Sequence, residues 1–244
     1  MIAIPFIIIF ALFQAIYGIG LLVFGTPTLL LLGFEYKDVL GILLPSSVFI
    51  SFLQIRENKE KKISETSFFP FVIAGILLGF TILFFTKVPA VMPTIMTFSM
   101  LLIGALRTSS SVRALFANAF NKSRLIFHIT NAIFHGFTNL GGTFLSFYST
   151  VIYTENRKAL KCTAFFYLIY ALAQITFLTL VGHGNVFLQG LIYVPVTALL
   201  YWSFGQRTFL LLTTKQFDNL ATLFFFFAAV GFAIRIPAIW EYIG

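Results

Sequence analysis

The chain has 244 residues, of which 59% are hydrophobic and only 10% charged, and its formal net charge is +8. Soluble domains carry about 25% charged residues, so this composition excludes a soluble enzyme, a disordered chain and a nucleic-acid-binding module. It indicates a membrane protein, and the length allows roughly eight crossings of ~20 residues each.

Eight apolar stretches succeed one another along the chain, and a polar linker separates the fourth from the fifth. In order they cover residues 2–34, 39–55, 67–86, 88–106, 125–153, 159–181, 186–204 and 217–234. We expect them to be helices, because backbone groups in hydrocarbon must bond within their own segment. Pro45 and Pro195 are expected to kink the helices that contain them. The predicted fold class is an all-α polytopic membrane protein.

The first and fifth stretches are too long for a single crossing. As one helix, residues 2–34 would extend ~50 Å, whereas the hydrocarbon core is ~30 Å thick. Two arms of ~25 Å each fit the core better. We therefore predict that each long stretch is a re-entrant or broken helical hairpin.

One long stretch followed by three ordinary ones occurs twice, which indicates an internal repeat. Residues 13–20 (FQAIYGIG) align with residues 134–141 (FHGFTNLG) at a shift of 121, from 13 to 134. We predict a first repeat over 1–107, a cytoplasmic linker over 108–124 and a second repeat over 125–244. Each repeat would hold one hairpin and three transmembrane helices, which gives about eight to ten membrane segments in all.

The positive charges indicate how the repeats are oriented. If both long stretches enter and leave on the same side, 13 of the 16 Lys and Arg residues face one side of the membrane. The other side then holds only Lys37, Lys87 and Arg235. Because cytoplasmic loops are rich in Lys and Arg, this asymmetry favours two inverted repeats with both termini outside.

Glycine, proline and polar residues interrupt both long stretches. They are Gly18, Gly20, Gly25, Thr26 and Pro27 in the first, and Asn139, Gly141, Gly142 and Thr143 in the second. Thr26 followed by Pro27 is typical of a helix start, so a half-helix beginning there would point its N–H groups at the hairpin tip. Two such tips meeting near the midplane would form a cradle for an anion.

Plain helix packing is the alternative interpretation of these glycines. It is the one we favour for Gly75 and Gly79, because small residues spaced as GxxxG let two helices approach each other closely.

No Asp, Glu, Lys or Arg falls in the middle of an apolar stretch, which argues against a cation site and against a buried proton-carrying carboxylate. Amides, hydroxyls and backbone N–H groups remain available for an anion. His135 is the candidate for proton coupling, the alternative being a neutral histidine bonded to a neighbouring helix. The predicted substrate-binding residues are Gln14, Tyr17, Gly18, Gly20, Thr26, Pro27, His135, Asn139, Gly141, Gly142 and Thr143. No metal site, cofactor or enzyme motif is predicted.

The two interrupted stretches also carry a family resemblance. Residues 15–27 (AIYGIGLLVFGTP) and 134–148 (FHGFTNLGGTFLSFY) resemble the paired glycine-rich signatures of the sulfite-exporter TauE/SafE family of membrane transporters. Tyr148 stands where a proline would be expected, and Leu21 replaces a glycine. The resemblance implies movement of small sulfur-containing anions, such as sulfite or organosulfonates, across the inner membrane.

We therefore expect a secondary transporter, and in particular an exporter, that works by alternating access. Its expected partners are a small anionic substrate and the lipid bilayer, with no nucleic acid; proton coupling and a homodimer are left open. The alternatives are a membrane scaffold or assembly factor without a transported substrate, and a carrier of another small ion.

Overall fold

The computed structural model describes residues 3–58, 63–85 and 92–243, and the regular structure in these ranges is helical, without a strand. The α-helices are α1 (Ala3–Tyr17), α2 (Thr26–Leu31), α3 (Tyr36–Glu57), α4 (Phe69–Phe85), α5 (Met92–Thr108), α6 (Ser110–Lys122), α7 (Arg124–Thr138), α8 (Gly141–Ile152), α9 (Asn156–Leu180), α10 (Phe187–Leu191), α11 (Val194–Leu200), α12 (Gln206–Leu211) and α13 (Thr214–Ile243). π-Helical turns lie at Leu21–Gly25 and Tyr201–Gly205, and 3-10 turns at Ser64–Phe68 and Gly184–Val186. The predicted all-α character is confirmed for these residues.

Most of the ordinary apolar stretches form helices close to their predicted bounds. α3, α9 and α13 cover the second, sixth and eighth stretches, and α4 and α5 cover the described parts of the third and fourth. α3 runs through Pro45 without interruption. Residues 86–91, which include the predicted positive charge Lys87, lie outside the described residues.

The first long stretch is a broken hairpin, as predicted. α1 ends at Tyr17, and helical backbone resumes at Leu21. The rings of Phe10 and Phe24 lie 6.0 Å apart, so the second arm runs back along the first. The first arm has 15 residues and extends ~22 Å, which is less than the ~30 Å core.

The second long stretch is broken and folded back in the same way. Only Asn139 and Leu140 separate α7 from α8. The rings of Phe134 and Phe144 lie 5.3 Å apart across the two arms. Each predicted hairpin is therefore confirmed as a pair of short helical arms joined by a tight reversal.

The seventh stretch, 186–204, is helical but bent, as the expected kink at Pro195 predicts. The chain forms α10, α11 and α12 there, with a bend of 49° between Gly184–Leu191 and Val194–Leu211. Pro195 is the second residue of α11. Proline lacks an N–H and clashes with the carbonyl four residues earlier, so the break falls just before it, as expected for this proline.

Glycines bring α4 and α7 into direct backbone contact. A Cβ on Gly79 would overlap the carbonyl oxygen of Ile133, and one on Gly75 would lie 3.0 Å from the Cβ of Ala132. In the opposite direction, Gly136 of α7 faces the backbone of α4 just as closely. The packing interpretation of Gly75 and Gly79 is confirmed.

Several helices are suited to a membrane. Three helical segments in the described ranges, Tyr36–Glu57, Ser64–Leu83 and Asn156–Leu180, are long and apolar enough to cross one. Two bent pairs, one joining α5 to α6 at 105°, would raise the number to five if each pair is one span. A helical protein with several apolar spans is thereby supported, while the count of eight to ten segments, their inverted arrangement and the location of the termini stay predictions.

Candidate functional site

The first hairpin tip depends on two glycines. Gly18 has φ +76°, a conformation that side chains strongly disfavour. A Cβ on Gly20 would overlap the carbonyl oxygen of Phe10 and would lie 2.5 Å from the backbone nitrogen of Gln14. The chain can fold back against α1 this tightly only because both positions lack a side chain.

Gln14 fastens this tip to α3. Its Nε2 donates to the carbonyl and the Oγ of Ser47 at 2.9 and 3.0 Å, and to Ser51 Oγ at 3.1 Å. Its Oε1 accepts from the backbone N–H of Leu21 at 3.3 Å. Since both ends of this buried amide are engaged by protein groups, Gln14 supports the tip and is not presented to a substrate in this conformation.

The second arm of the first hairpin does not start where the sequence pattern placed it. Gly25 and Thr26 both have right-handed helical angles, and the N–H of Thr26 bonds to the carbonyl of Leu22, so Thr26 is not an N-cap. Helical backbone begins at Leu21, and its first turn is a wide π-helical one. Pro27 explains that turn, because its ring would clash with the carbonyl four residues earlier in a regular α-helix.

Asn139 forms the second tip. It has φ +62°, the left-handed conformation that asparagine tolerates better than most residues, and its N–H donates to the carbonyl of His135 at 2.6 Å. Behind it, a Cβ on Gly141 would lie 2.5 Å from the Cβ of His135. Gly141 therefore has the same function here that Gly20 has in the first tip.

The second tip contacts the second arm of the first hairpin in the protein interior. Asn139 Nδ2 donates to Thr26 Oγ1 at 2.6 Å, and Asn139 Oδ1 accepts from Gln174 Nε2 at 3.1 Å. Thr26, Asn139 and Gln174 are each fully buried. A Cβ on Gly142 would lie 2.7 Å from a side-chain methyl of Val23, which shows how closely the second arm packs on the first.

Backbone donors at the first tip are already bonded to protein acceptors. The N–H of Leu21 bonds to Gln14, and the N–H of Val23 donates to the hydroxyl of Tyr167 at 3.1 Å. The helix terminus is thus satisfied by side chains, as helix ends in a dry interior must be. The N–H groups of Leu21 and Val23 are therefore not free in this conformation, so an anion would have to displace Gln14 or Tyr167 to reach them.

The remaining predicted site residues do not join the contact between the tips. The ring of Tyr17 packs on that of Phe217 at 4.7 Å. His135 is fully buried with its ring 4.4 Å from that of Tyr170, and its ring nitrogens have no hydrogen-bond partner among the described residues. Thr143 Oγ1 donates to the carbonyl of Leu140 at 2.7 Å, which is a bond within its own turn. The alternative interpretation is a neutral histidine bonded to a neighbouring helix. The described contacts of His135 do not include such a bond.

Glu65 is a buried carboxylate, whereas the sequence pattern argued against one. The side chain of Glu65 has no exposed surface. Oε1 accepts from Tyr148 Oη at 2.8 Å and from Arg124 Nη1 at 3.1 Å, and Oε2 accepts from Ser64 Oγ at 2.8 Å and from Tyr153 Oη. Glu65 lies at the edge of an apolar stretch, and it is buried because α7 and α8 fold over it. With both oxygens bonded twice, it joins these two helices to the start of the α4 segment.

Sequence reasoning missed the partners that α9 supplies to both tips. Tyr167 bonds to the first tip and Gln174 to the second, and both are fully buried. An amide inside a long apolar run is costly unless it is bonded, so the position of Gln174 in the middle of α9 was a signal available in the sequence.

A cavity opens elsewhere, between α1, α2 and α13. It has a volume of about 340 Å³ and an almost wholly apolar lining that includes Phe6, Phe10, Phe24 and Phe227. Thr28 is the polar residue in that lining. Such a lining does not suit a small anion, since burying a charge without partners is strongly unfavourable.

Comparison with protein-family models, with curated proteins and with solved structures gives no match to this chain. The resemblance to the TauE/SafE family therefore remains a prediction.

Proposed function

We propose that this chain is a secondary transporter that exports small sulfur-containing anions, such as sulfite or organosulfonates, across the inner membrane by alternating access. The observation that carries this proposal is the contact between two broken hairpins, in which Asn139 of one bonds to Thr26 of the other at 2.6 Å. Broken helices that meet inside a bundle are the usual place where secondary transporters bind their substrates.

The alignment of the two halves at a shift of 121 residues supports an internal repeat. It pairs Gly18 with Asn139, and these two residues both have positive φ at their tips. It also pairs Gly20 with Gly141, and each of these glycines abuts the residue six positions before it. The two hairpins therefore agree in sequence position and in backbone conformation, which favours an internal repeat.

Packing between the halves is reciprocal, as an inverted repeat requires. α4 of the first half packs on α7 of the second through Gly136. The α11–α12 region of the second half packs on α1 of the first, where Gly205 touches Ala15. Ala15 and Gly136 are again paired by the shift of 121. Rocking of one half against the other would open the contact between the tips to either side in turn.

The membrane potential favours export. With the inside negative, each negative charge that leaves the cell gains ~2.3 kcal/mol per 100 mV. We propose His135 as the residue through which protons would be coupled to transport, because its ring is buried beside the second tip and its nitrogens make no bond within the described structure.

The test is uptake of radiolabelled sulfite by liposomes that contain the purified chain, with unlabelled sulfonates, thiosulfate, sulfate and chloride as competitors. We expect saturable uptake that sulfur anions compete for and that depends on an imposed potential. Protein-free liposomes and liposomes with heat-inactivated protein are the controls. Well-folded protein that shows no uptake under either a proton gradient or a potential would refute the proposal.

One observation favours a second function, that of a membrane scaffold. The backbone donors at the first tip are already bonded to Gln14 and Tyr167, as they would be if the breaks served packing alone. A scaffold binds no anion, so its melting temperature would not change with sulfite or sulfonate. A transporter would be stabilised by mass action, by about 2.7 kcal/mol at an anion concentration 100 times the dissociation constant.

A further inference from the structure

Arg107, at the end of α5, carries a positive charge in the protein interior. Its side chain has no exposed surface, although the sequence pattern assigns it to the edge of a cytoplasmic linker. A guanidinium stays charged in proteins. Burial of such a charge is unfavourable unless neighbouring groups compensate it, so Arg107 requires hydrogen-bond acceptors and negative charge around it.

The only carboxylate paired with Arg107 in the described structure is a weak partner. Arg107 Nη1 lies 3.4 Å from Asp218 Oδ1, whereas charged hydrogen bonds are typically about 2.7–2.9 Å long. Asp218 is held more closely by Arg113, whose Nη1 lies 2.7 Å from Oδ2. Two guanidinium groups therefore share one carboxylate, which leaves an excess of one positive charge at this place.

Hydroxyl groups and a ring supply the other contacts of Arg107. Nη2 donates to Ser146 Oγ at 2.9 Å and, more distantly, to Thr150 Oγ1 at 3.5 Å. The ring of Phe225 lies 5.7 Å from the guanidinium carbon. These groups are neutral, so they solvate the charge of Arg107 without cancelling it.

One donor of Arg107 is left without a partner. Nε is buried and makes no hydrogen bond to any residue in the described ranges. Buried donors are nearly always bonded, and an unpaired one calls for an explanation. Nε and the adjacent Nη2 form one edge of the guanidinium fork, which matches two oxygens of a carboxylate, sulfonate or phosphate.

The charge lies close to both hairpin tips. Ser146 is on α8, one helical turn after Gly142 of the second tip. Tyr17, the residue before Gly18 of the first tip, packs its ring 4.7 Å from that of Phe217, the residue before Asp218. An anion at Arg107 would thus lie near the contact between the two hairpins and would not need the bonded N–H groups of Leu21 and Val23.

We infer that Arg107, with the hydroxyl of Ser146, binds a small oxyanion of one negative charge, such as bisulfite or a sulfonate; the hydroxyl of Thr150 already donates to the carbonyls of Ser146 and Phe147. The anion takes the unmade bond of Nε and neutralises the excess positive charge that Arg107, Arg113 and Asp218 leave. This assignment rests on the proposed function, for which it names the residue that recognises the charge of the substrate.

The test is direct binding, measured as the rise in melting temperature of the purified full chain with increasing sulfite or methanesulfonate. Arg107→Lys keeps the charge and loses the fork. Because hydrogen bonds to charged groups contribute about 1.5–3 kcal/mol, its dissociation constant should rise by roughly 10- to 100-fold. Arg107→Gln should abolish saturable stabilisation. Arg157→Gln, the same change at an exposed position on α9, is the matched control and should bind like the wild type.

Asp218→Asn keeps the test decisive if the Arg107 variants fold poorly. It removes the competing carboxylate while leaving both guanidinium groups in place, so anions should bind about tenfold more tightly because charge repulsion is lost. Chloride should compete weakly in every variant, since it cannot engage two donors of the fork at once. Unchanged affinity in both Arg107→Lys and Asp218→Asn would overturn the assignment.

Failure of this site and failure of the proposed function give different results. A wild type that transports sulfite, with KM unchanged in Arg107→Lys, would overturn the site and leave transport in place. A wild type that binds sulfonate through Arg107 but moves none across liposomes would support the site and refute transport.

Discussion

Replacing Asn139 tests the contact on which the transport proposal depends. Asn139→Gly keeps the backbone freedom needed at φ +62° and removes the amide. Two buried hydrogen bonds are lost, one to Thr26 at 2.6 Å and one from Gln174 at 3.1 Å. Such bonds in membrane proteins average ~0.6 kcal/mol and reach ~1.7 kcal/mol, so the free energy of unfolding should fall by ~1–3 kcal/mol.

Asn139→Leu should be more damaging than Asn139→Gly. It loses the same two bonds and also places a bulky side chain on left-handed backbone, which adds roughly 1–2 kcal/mol. The difference between the two variants therefore measures the backbone requirement of the tip separately from its hydrogen bonds. For a chain of this size, 1 kcal/mol corresponds to a change in melting temperature of roughly 2–4 °C.

Two assays separate the stability of these variants from their activity. Melting temperature is measured on purified protein, and sulfite uptake by liposomes is expressed per folded molecule. Tyr201→Phe is the control, because the hydroxyl of Tyr201 donates to Glu57 Oε2 at 2.9 Å at the end of α3, outside the contact between Asn139 and Thr26. We expect the control to lose stability and keep transport, whereas both Asn139 variants lose transport. Transport at the wild-type rate by folded Asn139→Gly protein would remove the tip contact from the mechanism.

Three further changes test the packing around the tips. Gly79→Ala should destabilise the chain by roughly 1–3 kcal/mol, because the added methyl overlaps the carbonyl of Ile133. Gly231→Ala is the control and should be neutral, because Gly231 has open space around it. Thermal unfolding of the two variants would show whether they differ. Gln14→Leu should lower the melting temperature and expose the first tip to protease, and equal protection of mutant and wild type would contradict its fastening role. Glu65→Gln should lower the melting temperature, because it weakens four hydrogen bonds at once. Melting curves at several salt concentrations would detect this loss. An unchanged curve would mean that the buried carboxylate does not stabilise the chain.

The sequence by itself determined the helical arms and the positions of their breaks. Length and composition required helices that satisfy their own backbone, and Gly18 and Gly20 marked the first reversal because only glycine fits there. The second reversal at Asn139 was equally visible, since asparagine and the glycines after it are locally disfavoured in a helix. The same local reasoning failed at Thr26, where a proline pattern typical of a helix start occurs inside a helix widened by a π turn.

Tertiary structure alone decided which polar groups are buried and what they bond to. Arg107 and Glu65 lie at the edges of apolar stretches, and nothing in their neighbours along the chain indicates that their side chains are covered. The partners of the tips, Tyr167 and Gln174, come from a helix far away in sequence. Breaks in a helix depend on the residues at the break, so the sequence located the tips. Burial and hydrogen bonding between distant segments depend on how the helices pack, so only the fold showed that the N–H groups of Leu21 and Val23 are bonded to side chains and that the charge of Arg107 is buried.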